Sequence, residues 1–233
     1  MLRSLCELPG DFRIRLSSIE TTEVTKDLIS VMRDFPDRVV PHLHLCLQAG
    51  SDSVLRRMRR RWGTKRFLDR CRLLRESLRS PAFTTDIIAG FPGETDEEFE
   101  ETLATCREAG FSKIHAFPFS ARRGTPAAEM PNQIPGDVKS ERVARLGKLE
   151  GELRHSYFKE LIGQTVEVLV ESSRTLVSGI GSTGKQPQLL RGTTCRYAPA
   201  EWMNDPGDNI KTGDLVRGQV VAADSTKVAL EKL

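Results

Sequence analysis

The spacing of apolar and polar positions changes repeatedly along the chain, and each change marks an element. Phe12 to Ser18 (FRIRLSS) alternates, which predicts a short strand. Val24, Leu28, Val31, Met32 and Phe35 then recur at helical spacing behind Thr21-Thr22-Glu23, read as the cap, and Pro36 ends that helix. Pro41 to Gln48 (PHLHLCLQ) predicts a second strand, with Ala49-Gly50-Ser51-Asp52 as the turn after it. Val54, Leu55 and Met58 open a short helix. Phe67, Leu68, Cys71, Leu74 and Leu78 form the inner face of another, capped at Thr64. The β-branched run Thr84, Thr85, Ile87 and Ile88 predicts a third strand, ending at Gly90, and Phe91-Pro92-Gly93 turns the chain. Thr95 with Glu98 three residues on is a capping box, in which hydroxyl and carboxylate satisfy backbone donors at a helix start. Phe99, Leu103 and Cys106 follow at helical spacing, and Gly110 stands where a C-terminal cap belongs. Lys113 to Phe119 (KIHAFPF) predicts the fourth strand.

Strands and helices thus alternate at intervals of about 30 residues, which predicts an α/β fold with a parallel sheet or part of a β/α barrel. In such folds chemistry sits at the C-terminal strand ends. Here these read Ser17-Ser18, Gln48 to Ser51, Gly90 to Gly93 and Ser120-Ala121-Arg122. Any βα turn of an α/β protein shares the third pattern. Asp96, Glu97 and Glu98 would repel an anion at that helix start, which argues against a phosphate cradle. After the Pro- and Gly-punctuated stretch 124–136, Asp137 to Leu161 reads as a long charged helix. Beyond Gly163 the segments TVEVLVESS, TLVSGIGS, QLLRGTT, DLVRGQVVAAD and KVALEKL are short and β-rich, which predicts a small antiparallel barrel of about 70 residues. The expected domains are therefore 1–136, a connecting helix 137–161, and a β-barrel 162–233.

Composition adds a few limits. The net charge is +3 over 233 residues, and residues 161–233 carry eight acidic and eight basic side chains, so the excess lies in the first 160. No apolar run approaches the roughly 18 residues of a membrane span, and the N-terminus lacks a signal-peptide core. Five scattered cysteines (6, 46, 71, 106 and 195) suggest reduced thiols in a cytoplasmic protein.

Four stretches in order, RIRLSSIE (13–20), HLHLCLQAGSD (42–52), TTDIIAGFPGETDEEFEE (84–101) and HAFPFSARRGTPAA (115–128), carry a family resemblance. Together they resemble the radical S-adenosylmethionine (SAM) tRNA methylthiotransferases, most closely the branch acting on threonylcarbamoyladenosine. The resemblance implies a partial radical SAM barrel (about strands three to six) followed by a TRAM domain, the tRNA-binding module of that family. It implies SAM and [4Fe–4S] clusters as cofactors, tRNA as partner, and a monomer. It also implies an N-terminal region whose C-x-x-x-C-x-x-C loop holds the cluster. No two cysteines here lie within 20 residues of each other, so one loop cannot supply those thiolates. The chain reads as a C-terminal portion that is inactive alone.

Carried over position by position, the resemblance places Ser18 and Gln48 at the SAM ribose or methionine moiety. It sets Ile88 and Gly90 against adenine, and the backbone of Phe117 at the adenine edge. By side chain alone Phe117 reads as core. No residue reads as a general acid or base, so no catalytic residue is assigned; the chemistry belongs to the cofactors. Seven cations in Arg56 to Arg66 (RRMRRRWGTKR) read either as a solvated helix face or as a phosphate-tracking patch. On the second reading Arg57, Arg60 and Arg61 contact RNA and Trp62 stacks on it. Arg122 at the cavity mouth and Arg191 in the barrel are further candidate RNA contacts. The turn 181–185 lacks the aromatic and Asn or Asp that relatives carry there. Two rival functions remain: a non-catalytic RNA-binding module, and a metal-dependent hydrolase using His42 and His44 with Asp86 and His115.

Overall fold

The computed structural model describes residues 1–175, 187–205 and 207–233. Two compact units divide at Leu153/Arg154. The first holds α1 (Leu2–Cys6), β1 (Ile14–Ile19), a 3-10 turn at Thr21–Glu23, α2 (Lys26–Asp34), β2 (Val39–Leu45), α3 (Asp52–Arg57) and α4 (Thr64–Ser77). It continues with β3 (Ala82–Ala89), α5 (Asp96–Ala109), β4 (Lys113–Pro118) and α6 (Pro126–Glu129). The long helix α7 (Gly136–Glu160) crosses the division. The four strands form one all-parallel sheet in the order β1-β2-β3-β4, the expected α/β layout of a partial barrel.

The sheet's two faces differ in chemistry. Leu43, Leu45, Phe83, Ile87, Ala89 and Ile114 are buried with Phe67 and Leu74 of α4, Phe99 and Leu103 of α5, and Leu146 and Leu149 of α7. Fully burying each Leu, Ile or Phe side chain among these stabilises the fold by about 1.5–3 kcal/mol. The alternate positions carry His42, His44, Thr84, Asp86, Ile88, His115 and Phe117. A parallel sheet buried on both faces would read as near-continuous aliphatic residues, so the polar row marks a face built for other contacts.

Caps explain where the helices begin. Thr95 Oγ1 accepts from Glu98 N and the Glu98 carboxylate accepts from Thr95 N, forming the expected capping box, and Gly110 ends α5 in the left-handed conformation at φ 60°. Two other caps differ from expectation. Thr21–Glu23 is its own 3-10 turn, and α2 is capped by Thr25, whose hydroxyl accepts from Leu28 N. Thr64 is the first residue of α4 rather than its cap, and its N–H donates to the Asp52 carboxylate at 2.7 Å.

The second unit contains β5 (Thr165–Thr175), β6 (Gln188–Thr194), β7 (Pro199–Asn204), β8 (Leu215–Ala223) and β9 (Val228–Lys232). They close into a barrel in the order β5-β6-β7-β9-β8, antiparallel except where β7 meets β9. Its interior holds Val166, Val168, Val170, Leu190, Trp202, Val220 and Leu230. β7 is a strand that the pattern did not predict, whereas most of TLVSGIGS and the turn 181–185 lie outside the described residues. Among the described residues no helix is long and apolar enough to cross a membrane.

Candidate functional site at the strand ends

The C-terminal ends of the parallel strands depart from regular backbone at three of the predicted positions. Ser18 has φ 56°, Gln48 φ 67° and Gly90 φ 74°. Such values are uncommon outside glycine and mark positions where surrounding structure holds the chain. Ser18 lies at an irregularity between Leu16 and Ile19 in the β1–β2 register; both it and Ser17 are exposed. Gln48 extends the sheet beyond β2. Its N–H donates to Asp86 O and its C=O accepts from Ile88 N, each at 2.9 Å. Its side-chain amide is half-buried and makes no hydrogen bond among the described residues. Gly50 seats this turn on α5: its N–H donates to Thr102 Oγ1 at 3.0 Å, and its C=O accepts from Thr105 Oγ1 at 2.8 Å.

Gly90 is held from below and filled from above. Its N–H donates to the buried Glu94 carboxylate at 2.6 Å, and Arg142 of α7 pairs with that carboxylate at 2.7 Å. Burial pushes the Glu94 carboxyl above its ordinary value, against the lowering effects of the Gly90 N–H and Arg142. The space above Gly90 is taken by the Lys139 stem, which a Cβ there would overlap, and Lys139 Nζ donates to Phe119 O at 3.1 Å. The close approach that glycine permits is thus used by α7.

Ile88 and Phe117 are register partners on neighbouring strands. Phe117 is 51% exposed, so its ring is not the core side chain that its type suggests. Ile88 also lines a cavity of about 340 Å³ with Met58, Phe91, Phe119, Met130 and three arginines, Arg57, Arg59 and Arg60. Apolar and cationic side chains thus share its lining. Ser18, Gln48, Gly90 and Phe117 do not line that cavity.

The arginine run is divided by the fold. It spans the end of α3, a loop, and the start of α4, so it is not one solvated helix face. Arg57 forks onto Glu98 with contacts of 2.9 and 2.6 Å, tying α3 to the capping box of α5. Arg60 pairs with Glu20 at 2.9 Å. Arg56, Arg59, Arg61 and Arg66 are exposed and make no ion pair among the described residues. Trp62 is buried and stacked on Phe67 at 5.8 Å, so it is a core residue unavailable to a nucleobase. Arg122 is exposed beyond β4, and Arg191 pairs with Glu201 at 2.6 Å on the barrel.

These pairings give a first expected result. The Arg57 guanidinium, with Ser53 and Thr95 N–H adding to it, holds the Glu98 carboxyl down at about 2. A depressed carboxylate contributes stability above its unfolded value of 4.5, lost as pH falls through about 2. Arg57→Ala is expected to move Glu98 back toward the ordinary range and lower the urea midpoint, whereas Arg61→Ala leaves the midpoint unchanged. Carboxyl-carbon NMR titration of Glu98 beside urea unfolding checks both; unaltered Glu98 titration in Arg57→Ala contradicts the assignment.

The histidines do not gather a metal. His42 Nε2 lies 3.1 Å and His44 Nδ1 3.0 Å from Thr84 Oγ1, so each uses a ring nitrogen on that hydroxyl. Among the described residues no group of three or more His, Cys, Asp or Glu side chains converges as a metal site. The same holds for the thiols: Cys6, Cys71 and Cys106 are buried, Cys46 and Cys195 half-buried, and all five are free. The cluster implied by the family pattern therefore has no ligand set among the described residues.

Known proteins resemble the chain as follows. Residues 1–106 match the radical SAM superfamily. A tRNA-2-methylthio-N(6)-dimethylallyladenosine synthase of Saccharopolyspora erythraea is 45% identical over 170 residues, 73% of this chain and 34% of that protein. A threonylcarbamoyladenosine tRNA methylthiotransferase of Bacillus subtilis is 45% identical over 164 residues, 70% of this chain and 36% of its own length. A tRNA-2-methylthio-N(6)-dimethylallyladenosine synthase of Corynebacterium urealyticum is 44% identical over 230 residues, 96% of this chain and 40% of that protein. The chain thus spans between a third and two fifths of these relatives, and identity does not separate the two substrate branches.

Proposed function

We propose that this chain, which belongs to the radical SAM tRNA methylthiotransferase family, contributes part of the SAM cavity and the tRNA surface of a cytoplasmic, monomeric enzyme. On this reading the enzyme adds a methylthio group to C2 of N6-threonylcarbamoyladenosine at position 37 of tRNA. The observation that supports the reading is the arrangement of the strand ends, where Gln48 is held at φ 67° by backbone bonds to Asp86 and Ile88, and Ile88 is the register partner of Phe117. SAM, when bound, supplies the radical-forming group. The chain's own share is binding: Ile88 and Phe117 offer apolar surface to adenine, Gln48 an amide that donates and accepts, and Ser18 a hydroxyl. The choice of the threonylcarbamoyl branch is supported by Arg59 in the lining of the Ile88 cavity, because that substituent ends in a carboxylate. The β5–β9 barrel takes the role of the TRAM domain.

With no converging thiolates of its own, the isolated chain is expected to be inactive in methylthiolation. Methylthiolated tRNA produced by the iron-reconstituted chain alone would overturn that. RNA contact is tested by filter binding of tRNA over a salt series. Arg61→Ala and Arg122→Ala are each expected to lower affinity and reduce the salt slope by about one. No retention of tRNA at low salt removes the RNA-binding part of the proposal.

A further inference from the structure

The polar row on the sheet is not a loose collection of side chains. His42 and His44 on β2 both meet one hydroxyl, Thr84 Oγ1 on β3, and His44 turns its other ring nitrogen, Nε2, to Asp86 Oδ2 at 3.5 Å. Thr84 has a single proton to donate and lone pairs to accept. Both histidines therefore cannot accept from it; one must donate. The carboxylate opposite His44 Nε2 favours an N–H at that atom over a lone pair. In neutral His44 this leaves Nδ1 as acceptor for the Thr84 hydroxyl, and His42 Nε2–H must then donate to Thr84.

We infer that this face holds a directed hydrogen-bond relay, from His42 through Thr84 to His44 with Asp86 facing the far ring nitrogen of His44. The relay fixes the His44 tautomer and leaves His44 and Asp86 at the open end as the proton-exchanging pair of the adjoining strand-end site. The arrangement has a buried end and an open end. His42 is 3% exposed, and its pKa is lowered to about 3 by burial first and then by Arg15 and His44, which keeps it neutral. At the open end the Asp86 side chain is 36% exposed; His115, its register partner on β4, has its ring 6.1 Å from that of His44. Other charged groups facing the row are Arg15, Lys113 and Glu150 of α7, which pairs with Lys113 at 3.4 Å. On the same face, the next register pair beyond Asp86 and His115 is Ile88 and Phe117. A proton entering or leaving a ligand over that rung meets Asp86 and His44, whose donor and acceptor roles Thr84 fixes in advance. Only the ligand's placement rests on the proposed function; the relay itself is a property of this chain's own residues.

The test is long-range proton–nitrogen NMR on the 15N-labelled full chain, which contains four histidines, assigned by single His→Gln substitutions and recorded without ligand. His42 and His44 are both expected as Nε2–H tautomers at pH 7.5, with His42 unchanged from pH 8 to pH 5. Thr84→Val should shift the His42 Nε2 and His44 Nδ1 signals and leave His155 in place. An Nδ1–H tautomer at His44, titration of His42 near 6.5, or unmoved signals in Thr84→Val overturns the relay. If Thr84→Val does not fold, the wild-type tautomers decide, with Thr84→Ser expected to reproduce them. Because no ligand is present, the relay can fail while tRNA binding stands, and the reverse.

Discussion

Arg142→Met is expected to destabilise the first compact unit by about 3–5 kcal/mol at pH 7, the scale set by removing one partner of a buried ion pair. Arg142 is 3% and Glu94 1% exposed at the side chain, so neither partner falls back on water. Arg142 also donates to Glu94 O at 3.1 Å and pairs with Asp96, but the Asp96 side chain is 88% exposed and adds little. The pH dependence carries the diagnostic. Burial raises the folded-state pKa of Glu94 above its ordinary 4.5, so protonated Glu94 suits the fold better than the carboxylate does. Its contribution to stability is fully present below about 4.5 and is lost as pH rises through the folded value. Removing Arg142 takes away a lowering influence, raises that value further, and widens the window of loss. The deficit of Arg142→Met should therefore shrink from pH 7 toward pH 5. Adding Glu94→Gln should recover part of it at pH 7, because the uncompensated charge is gone. Trp62 and Trp202 lie one in each compact unit, so urea unfolding read by fluorescence in a Trp202→Phe background follows the first unit alone. A deficit below about 1 kcal/mol, the range of an exposed pair, contradicts this account.

The same ion pair shows what the sequence could and could not disclose. The four strands were legible because Thr84-Thr85-Asp86-Ile87-Ile88 and PHLHLCLQ carry β-branched or alternating residues between Gly and Pro punctuation, which is local information. The Thr95–Glu98 box and the Gly110 stop were legible for the same reason. The α4 cap was not. Its acceptor, Asp52, stands 12 residues upstream and reaches Thr64 N only once α3 has folded. β7 carries no such local signal, because it starts at Pro199 and its inward positions, Ala200, Trp202 and Asn204, include a polar residue. Charge runs are the least transparent of all. Arg57 and Arg60 look identical to Arg59 and Arg61 in sequence, yet their partners, Glu98 and Glu20, lie about 40 residues away. Similarly, the H-x-H spacing of His42 and His44 was visible, whereas the hydroxyl between them comes from the β2–β3 register. Ser18, Gln48 and Gly90 have positive φ at or just beyond strand ends, whereas Ile88 and Phe117 lie within β3 and β4. Lys139 over Gly90, and the Glu94–Arg142 support below it, had no signal in the motif.

Gly50→Ala is expected to cost about 3 kcal/mol, the upper end for added bulk in a packed region, and to disturb Gln48 as well. A Cβ at Gly50 would stand 2.6 Å from the Thr102 Cα and 2.8 Å from the Thr105 Cβ, closer than carbon atoms approach. The strain is steric rather than conformational, since Gly50 is not among the residues of positive φ. Relief requires the β2 turn to move away from α5, which breaks the hydrogen bonds of Gly50 with Thr102 and Thr105. Gln48 is two residues away and anchored to Asp86 and Ile88, so the shift is felt at the strand ends. Gly90→Ala provides the contrast. There the obstacle is the flexible Lys139 side chain, and the remaining cost is a φ of 74°, of the order of 1–2 kcal/mol. Trimming the neighbour should therefore help one variant and not the other. Lys139→Ala is expected to recover part of the stability lost in Gly90→Ala. Thr102→Ser is expected to recover none in Gly50→Ala, because the Thr102 Cα remains. Urea midpoints for the four variants decide the matter, and recovery of Gly50→Ala by Thr102→Ser would show that the contact at this turn is with a side chain instead of the α5 backbone.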